Sequence, residues 1–237
     1  MSVTAAQGFR AAGIAAGIKP DGKPDLALVV ADEPVPTAAV FTVNSAAAAP
    51  VQLSRSHMAA SPRSRAVVLN SGCANAATGK EGAAAALATA AAMASAVEAS
   101  VTDVLVCSTG TIGSTLPVET VVAGIGVAAT SLGATPQAGM DAARGIMTTD
   151  TVPKEAVASA SGFVVGGMAK GAGMIRPDMA TMLAVITTDA VADSATLDEV
   201  LRLAVDESFH SLNIDGCPST NDTVILMASG ASGTQVD

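Results

Sequence analysis

The chain has 237 residues, half of them apolar, and a formal net charge of −9. This length can bury a substantial core, as one large domain or two smaller ones. Nucleic acid is an unfavourable partner for this composition. The chain is acidic and has no clusters of Lys and Arg, whereas phosphates need basic patches. It also has few aromatic side chains on which unpaired bases could stack. Because the apolar residues are mostly Ala, we expect a core of tightly packed small side chains.

The chain start lacks the charged residues and apolar run that are typical of a signal peptide. The stretch from Gly82 to Val97 is short and dominated by Ala, Ser and Thr, so it predicts a packed helix and no membrane partner. Cys73, Cys107 and Cys217 fit a reducing, cytoplasmic location. Their spacing matches no common zinc pattern, so we expect buried cysteines and no metal or other cofactor.

Seven short segments rich in Val, Ile and Leu predict strands. They run from Leu26 to Ala31, Ala38 to Val43, Arg65 to Leu69, Val104 to Cys107, Gly162 to Val165, Thr181 to Thr187 and Thr223 to Met227. Because these segments do not alternate strictly with helices, an α+β fold in one folded body is favoured over a doubly wound sheet.

Four helices are predicted between these strands. They run from Glu81 to Ala99, Pro117 to Leu132, Pro136 to Met147 and Thr196 to Ser211. Pro117 would occupy the first helical position, and Thr135 would be an N-cap. Thr196 and Glu199 have the spacing of a capping box, which predicts the start of the last helix.

The stretch from Met168 to Ala190 is the most informative for chemistry. Gly171 and Gly173 make a permissive loop, and the small residue Ala180 precedes Thr181 and an apolar run. A threonine in this position suits a self-cleaving nucleophile. Its hydroxyl can attack the preceding carbonyl, and the freed α-amine, with a pKa near ~7.7–8.0, can then act as its general base.

The same stretch is similar to the self-cleavage signature of ornithine acetyltransferases. The matching residues are Lys170-Gly-Ala-Gly-Met-Ile and Pro177-Asp-Met-Ala-Thr181-Met-Leu. Six further blocks follow that family's order: Gly8 to Lys19, Ala39 to Asn44 with Ala49 to Val51, Asn70 to Ala76, Ser108 to Gly113, Ile146 to Thr151 with Pro153-Lys154, and Ile214 to Thr223. Blocks of this kind over nearly the whole chain identify it as a member of the family.

The resemblance implies a fold of mixed sheets layered with helices, of the ornithine acetyltransferase and N-terminal-nucleophile aminopeptidase type. It also implies cleavage between Ala180 and Thr181, so residues 1–180 would form an α chain and residues 181–237 the first part of a β chain. Acetyl would pass from N2-acetylornithine to Thr181 and then to glutamate, as a step of arginine biosynthesis. Whether acetyl-CoA is also a donor stays open.

The resemblance further assigns Thr109 and Gly110 as oxyanion donors and Thr148, Lys170 and Thr181 as substrate-binding residues. Lys170 has a physical rationale, because both amino-acid substrates carry an α-carboxylate that an ammonium can hold. An acetyl carbonyl under attack develops negative charge on oxygen, so donors near it are required.

Other polar residues are expected to be structural. Asn70 and Asn75 would brace a turn. Cys73 would be a packing residue, and Asp215 and Asp222 would order a loop without a catalytic role.

A Ser–His–Asp or Cys–His site is the competing interpretation. His57 and His210 are the two histidines, and we expect both to be ordinary surface or boundary residues. Neither lies in a motif that would support such a site.

Two other functions remain as alternatives: a related N-terminal-nucleophile aminopeptidase, and a non-catalytic subunit that never cleaves itself. For the transferase we expect an αβ heterodimer that assembles into a heterotetramer or larger. The family's chains continue past the Ser219 to Thr223 block with further substrate contacts, so we expect this chain to be only part of the working polypeptide.

Overall fold

The computed structural model describes residues 2–174, 182–215, 217 and 219–236. Its strands are β1 Phe9–Ile14, β2 Leu26–Phe41, β3 Arg63–Cys73, β4 Val104–Thr111, β5 Lys154–Ala160, β6 Phe163–Lys170, β7 Leu183–Thr188 and β8 Thr223–Ala228. Its α-helices are α1 Ala49–Ala60, α2 Gly79–Ala96, α3 Val118–Thr130, α4 Pro136–Gly145 and α5 Ser194–Glu207. None of the helices in these described ranges is long and apolar enough to cross a membrane.

The long strand β2 joins two halves of one sheet, in the order β4-β3-β2-β8-β7-β6-β5, with β1 also paired to β2. Its first part pairs with β1 and β3, and its last part, Thr37 to Phe41, pairs with β8. The register shifts between Val30 and Val35, where the exposed Asp32 and Glu33 interrupt the apolar sequence. This irregularity lets one strand serve both halves.

Alternation along β2 shows how the layers form. Ala27 and Val29 belong to a core that also contains Met168, Val185 and other residues of the second half, together with residues of α4. Leu28 and Val30 face a second core against α2 and α3. A third core packs α5 on the outer face of β7 and β8. The fold is therefore two sheet halves face to face, with helices outside each.

Two pairs of parallel strands bring several strand ends to one region of the fold. β3 and β4 are parallel and joined through α2, while β7 and β8 are parallel and joined through α5. Parallel neighbours require such crossovers. The carboxyl ends of β4 and β6 lie here with the amino ends of β7 and β8, because Lys170 contacts Thr109 and pairs with Leu183, which pairs with Thr223.

The structure corrects several predicted elements. The two strands from Leu26 to Ala31 and from Ala38 to Val43 are the single strand β2, and β1, β5 and α1 were not predicted. The predicted strand from Thr181 begins at Leu183 in the described residues. Pro117 is the N-cap of α3 and not its first helical residue.

Helix α5 begins earlier than predicted because another residue caps it. The Asp193 side chain accepts a hydrogen bond from the Thr196 backbone at 2.8 Å, so the helix starts at Ser194 and the expected capping box is wrong. The helix ends at Glu207, and a separate 3-10 turn, Phe209–Ser211, follows. The Thr135 cap is confirmed, since its hydroxyl accepts from the Ala138 backbone.

Candidate active site

One cavity of about 610 Å³ brings the predicted site residues together. It is lined by four of them, Thr109, Gly110, Thr148 and Lys170, and also by Lys19 and Asp215. These six residues come from five separate segments of the chain. Ala180 and Thr181 lie outside the described residues, so the predicted cleavage position and nucleophile remain predictions.

Lys170, at the end of β6, points its ammonium at a protein hydroxyl. Its Nζ donates to Oγ1 of Thr109, at the end of β4, at 2.9 Å. Both side chains are buried, 2% and 4% exposed. Burial lowers the pKa of Lys170 to about 8, although Asp150 and Asp222 act in the opposite direction. The contact links the two halves of the sheet across the cavity.

A buried amide network holds the end of β4. Ser108 Oγ donates to Asn70 Oδ1 at 2.6 Å, and Asn70 Nδ2 donates to the Cys73 carbonyl at 2.8 Å. Asn221 Nδ2 donates to the carbonyls of Ser108 and Ala74, at 2.9 and 2.7 Å. The structural role expected for Asn70 is confirmed, whereas Asn221 was missed because its partners are far away in sequence.

Gly110 lies where β3 and β4 approach closely. It has a φ of 132°, and a Cβ added to it would lie 2.4 Å from the Gly72 carbonyl carbon. Any larger residue would therefore clash with the backbone of β3 and occupy a strained conformation. Glycine at this position therefore allows β3 and β4 to approach closely at the cavity wall.

Asp150 connects two other parts of the cavity wall. Its carboxylate accepts from the Thr148 backbone at 3.2 Å and from the Gly171 backbone at 2.9 Å, and it forms an ion pair with Lys154. Burial opposes its ionisation, but the hydrogen bonds from Lys154, Gly171 and Thr148 outweigh burial and keep the pKa of Asp150 below its ordinary value. Asp150 thus fixes Thr148 relative to the end of β6. This role of Asp150 was not predicted from the sequence.

Lys19 is a second cation in the cavity wall that sequence reasoning missed. Its loop is organised by the fully buried Asp25, whose carboxylate accepts from four successive backbone N–H groups, residues 16 to 19. Lys19 Nζ donates to the carbonyls of Pro24 and Met147, each at 2.7 Å. Burial lowers the pKa of Lys19 despite the attraction of Asp25.

Asp222 lies immediately before β8 and contacts Met182, the residue that follows the predicted nucleophile. Its Oδ1 accepts from the Met182 backbone N–H at 2.9 Å, and Thr223 donates to the Met182 carbonyl at 3.0 Å. Burial raises the pKa of Asp222 to about 7, against hydrogen bonds from Met182 and Ser219 and the charge of Lys170. Asp215 accepts from the Met174 backbone at 2.6 Å. Both aspartates order loops, as expected.

The remaining sequence predictions are partly right. Asn75 braces the turn before α2, donating to the Gly82 carbonyl at 2.9 Å, and Cys73 is buried. His57 is not a surface residue, because it is buried and bonded to the Val104 carbonyl. His210 is partly exposed and paired with Asp206. Cys217 is exposed, so its expected burial is wrong.

The architecture resembles that of solved enzymes. It is similar to L-aminopeptidase D-Ala-esterase/amidase from Ochrobactrum anthropi, with a TM-score of 0.54 at 14% identity, over 96% of this chain and 73% of that one. At this identity the likeness shows the fold alone, a variant of the Ntn hydrolase fold. The α+β class is confirmed.

The sequence model of the ArgJ family matches residues 10–237, so the chain belongs to the ArgJ family. The arginine biosynthesis bifunctional protein ArgJ of Bifidobacterium longum is 53% identical over 240 residues, which cover 100% of this chain and 61% of that relative. The chain therefore spans about three fifths of the length of the curated relatives that it matches.

A solved relative is similar in both sequence and fold. Ornithine acetyltransferase from Mycobacterium tuberculosis, crystallised with ornithine, is 43% identical, with a TM-score of 0.68. The match covers 77% of this chain and 96% of that crystallised chain.

Proposed function

We propose that this chain carries the catalytic centre of an ornithine acetyltransferase, which moves acetyl from N2-acetylornithine to glutamate through an acetyl-Thr181 intermediate. The observation that carries the proposal is the convergence of Thr109, Gly110, Thr148 and Lys170 on one cavity. These positions were assigned from family blocks that are far apart in sequence. Family membership and the name of the Mycobacterium tuberculosis relative support the same reaction.

Self-cleavage is the first step of the proposal. The Thr181 hydroxyl attacks the Ala180 carbonyl carbon, the peptide C–N bond breaks, and water hydrolyses the resulting ester to leave a free Thr181 α-amine. The coverage of the crystallised relative supports this division. The matched 96% of that crystallised chain corresponds to 77% of this one, about 182 of 237 residues, which is close in length to the proposed α chain of residues 1–180.

Acetyl transfer then uses the same hydroxyl. Thr181 Oγ attacks the acetyl carbonyl carbon, its proton passes to the α-amine, and ornithine leaves with the proton on its nitrogen. The glutamate amine next attacks the ester and regenerates Thr181. Thr109 and Gly110 are the proposed donors to the oxyanion that forms in each step. Thr148 and Lys19 lie at the cavity wall, where they can contact the amino-acid portions of the substrates.

The assembly and location belong to the proposal as well. We propose an αβ heterodimer that pairs further, and a cytoplasmic reaction, which is consistent with three free cysteines. The curated relatives are named bifunctional proteins, so acetyl-CoA is the second donor to test.

The experiment compares purified native protein with Thr181→Ala. We expect the native protein to consist of two chains by intact-mass analysis and to convert N2-acetylornithine plus glutamate to ornithine plus N-acetylglutamate. Thr181→Ala should stay uncut and inactive, because it lacks the hydroxyl that both steps require. Activity of an uncut native chain would contradict the proposal, and release of free amino acids from peptides without acetyl transfer would favour the aminopeptidase.

A further inference from the structure

The hydrogen bond between Lys170 and Thr109 is not explained by the expected binding of a substrate carboxylate. The ammonium donates to Thr109 Oγ1 at 2.9 Å inside the protein, and Lys170 is 2% exposed. An ammonium has three donors, and one of the three donors of Lys170 is used by Thr109, a contact within the protein that binding of a carboxylate does not require. This donor is directed at a residue proposed to bind the oxyanion.

The chemistry of the two groups fixes where the hydroxyl proton can go. A threonine hydroxyl has one proton to donate and two lone pairs, whereas an ammonium can only donate. While Lys170 is protonated, it occupies a lone pair of Thr109, and the Thr109 proton must point to another acceptor. A hydroxyl that accepts from a charged donor is also polarised, which strengthens its own donation.

We propose that Lys170 is a positioning residue, which orients and polarises the Thr109 hydroxyl as a donor to the oxyanion. This inference rests on the proposed acetyl transfer. The backbone supports it, because the Asn70–Ser108–Asn221 network holds the strand end that carries Thr109. The lysine supplies the charge, and the network supplies the fixed position.

The charge of Lys170 is set by groups on several elements. Burial disfavours the ammonium most strongly, and the charges of Lys154 and Lys19 add to this effect. Asp150, before β5, and Asp222, just before β8, favour the ammonium. The balance gives a pKa of about 8. Above that pH the neutral amine can accept a proton from Thr109, so the hydroxyl would turn towards Lys170 and be lost to the oxyanion. The orienting effect is therefore present below about pH 8 and lost above it.

The test is a double-mutant cycle with Lys170→Met, Thr109→Val and the double variant. We measure kcat and KM with N2-acetylornithine and glutamate. Intact-mass analysis gives the fraction of each preparation that consists of two chains, and the rates are corrected for this fraction. Loss of one oxyanion donor lowers turnover by about 10²–10³, so Thr109→Val should fall in this range. Lys170→Met should lower kcat with little change in KM, and the double variant should be about as slow as Thr109→Val alone.

Unchanged kcat with a raised KM in Lys170→Met, or losses that multiply in the double variant, would overturn the inference. A native protein without acetyl transfer would instead overturn the proposed function, so the two failures are distinguishable. If Lys170→Met does not fold or cleave, the pH profile of the acetylation half-reaction decides. Deprotonation of the Thr181 α-amine, the proposed general base, raises the rate of both proteins towards pH 8, so the quantity compared is the ratio of the native rate to the Thr109→Val rate. This ratio should fall above about pH 8. A ratio that does not change with pH would overturn the inference.

Discussion

Asp222 is the residue whose ionisation we expect to affect stability most directly. It is fully buried, and its pKa of about 7 lies above the ordinary value of 3.8 because burial disfavours the charge. Between these two values the folded protein keeps a proton that the unfolded chain has released, so stability falls as the pH rises from about 4 to about 7. Below this window both states are protonated, and above it both are ionised.

Asp222→Asn separates the charge from the hydrogen bond. The amide oxygen can still accept from the Met182 N–H, and the side chain cannot ionise. Both proteins carry Thr181→Ala to prevent cleavage. The free energy of unfolding of the variant should increase relative to that of the parent as the pH rises through this window, by at most a few kcal/mol. A difference that does not change between pH 4 and pH 7 would show that Asp222 keeps an ordinary pKa.

The close packing of β1 on α4 positions the loop that carries Thr148. A Cβ added at Gly13 would lie 1.9 Å from the Asp141 carbonyl oxygen of the helix. We therefore expect Gly13→Ala to displace α4, to destabilise the protein by about 1–3 kcal/mol and to raise KM through the displaced Thr148 loop. Denaturant unfolding and steady-state kinetics measure the two effects.

Gly126→Ala is the matched control. Gly126 lies on the exposed side of α3, where an added Cβ meets nothing within 4 Å. The substitution should stabilise the helix by roughly 0.5–1 kcal/mol and leave KM unchanged. If both variants behaved alike, contact between β1 and α4 would not be what positions the loop.

The elements that the sequence did not predict lack a clear apolar pattern. β5 is largely exposed and pairs only with β6 among the described residues, so it shows no alternation. Helix α1 buries Ser54 and His57 beside Val51, so its buried face is partly polar. The strands of the central sheet were predictable because they bury continuous runs of Val, Ile and Leu.

The candidate site was predictable only through the family's blocks. Lys170 and Thr109 are 61 positions apart, and Asn221 and Ser108 are 113 positions apart. No local propensity brings such residues together, since their contact depends on how the two sheet halves face each other. The charge balance at Lys170 and the loop that is hydrogen-bonded to Asp25 could likewise be recognised only in the folded structure.

At the scale of the whole molecule, an apolar surface remains exposed beside the second half of the sheet. A groove of about 390 Å³ follows β5 and β6 to Phe209, and Leu203 and Ile214, at and beyond α5, are 59% and 64% exposed. Exposed apolar patches and sheet edges favour association. This surface is therefore expected to promote association of the chain.

We therefore expect the 237-residue chain to self-associate. Light scattering measures this property. A monodisperse preparation would show that the exposed groove needs no cover.

The location of the acetyl group tests the central claim most directly. The protein is incubated with N2-acetylornithine in the absence of glutamate, quenched and digested, and its peptides are analysed by mass spectrometry. We expect a peptide whose first residue is Thr181 to carry one acetyl group, which glutamate then removes. An acetyl group on any other residue, or an intact Ala180–Thr181 bond in protein that transfers acetyl, would contradict the account.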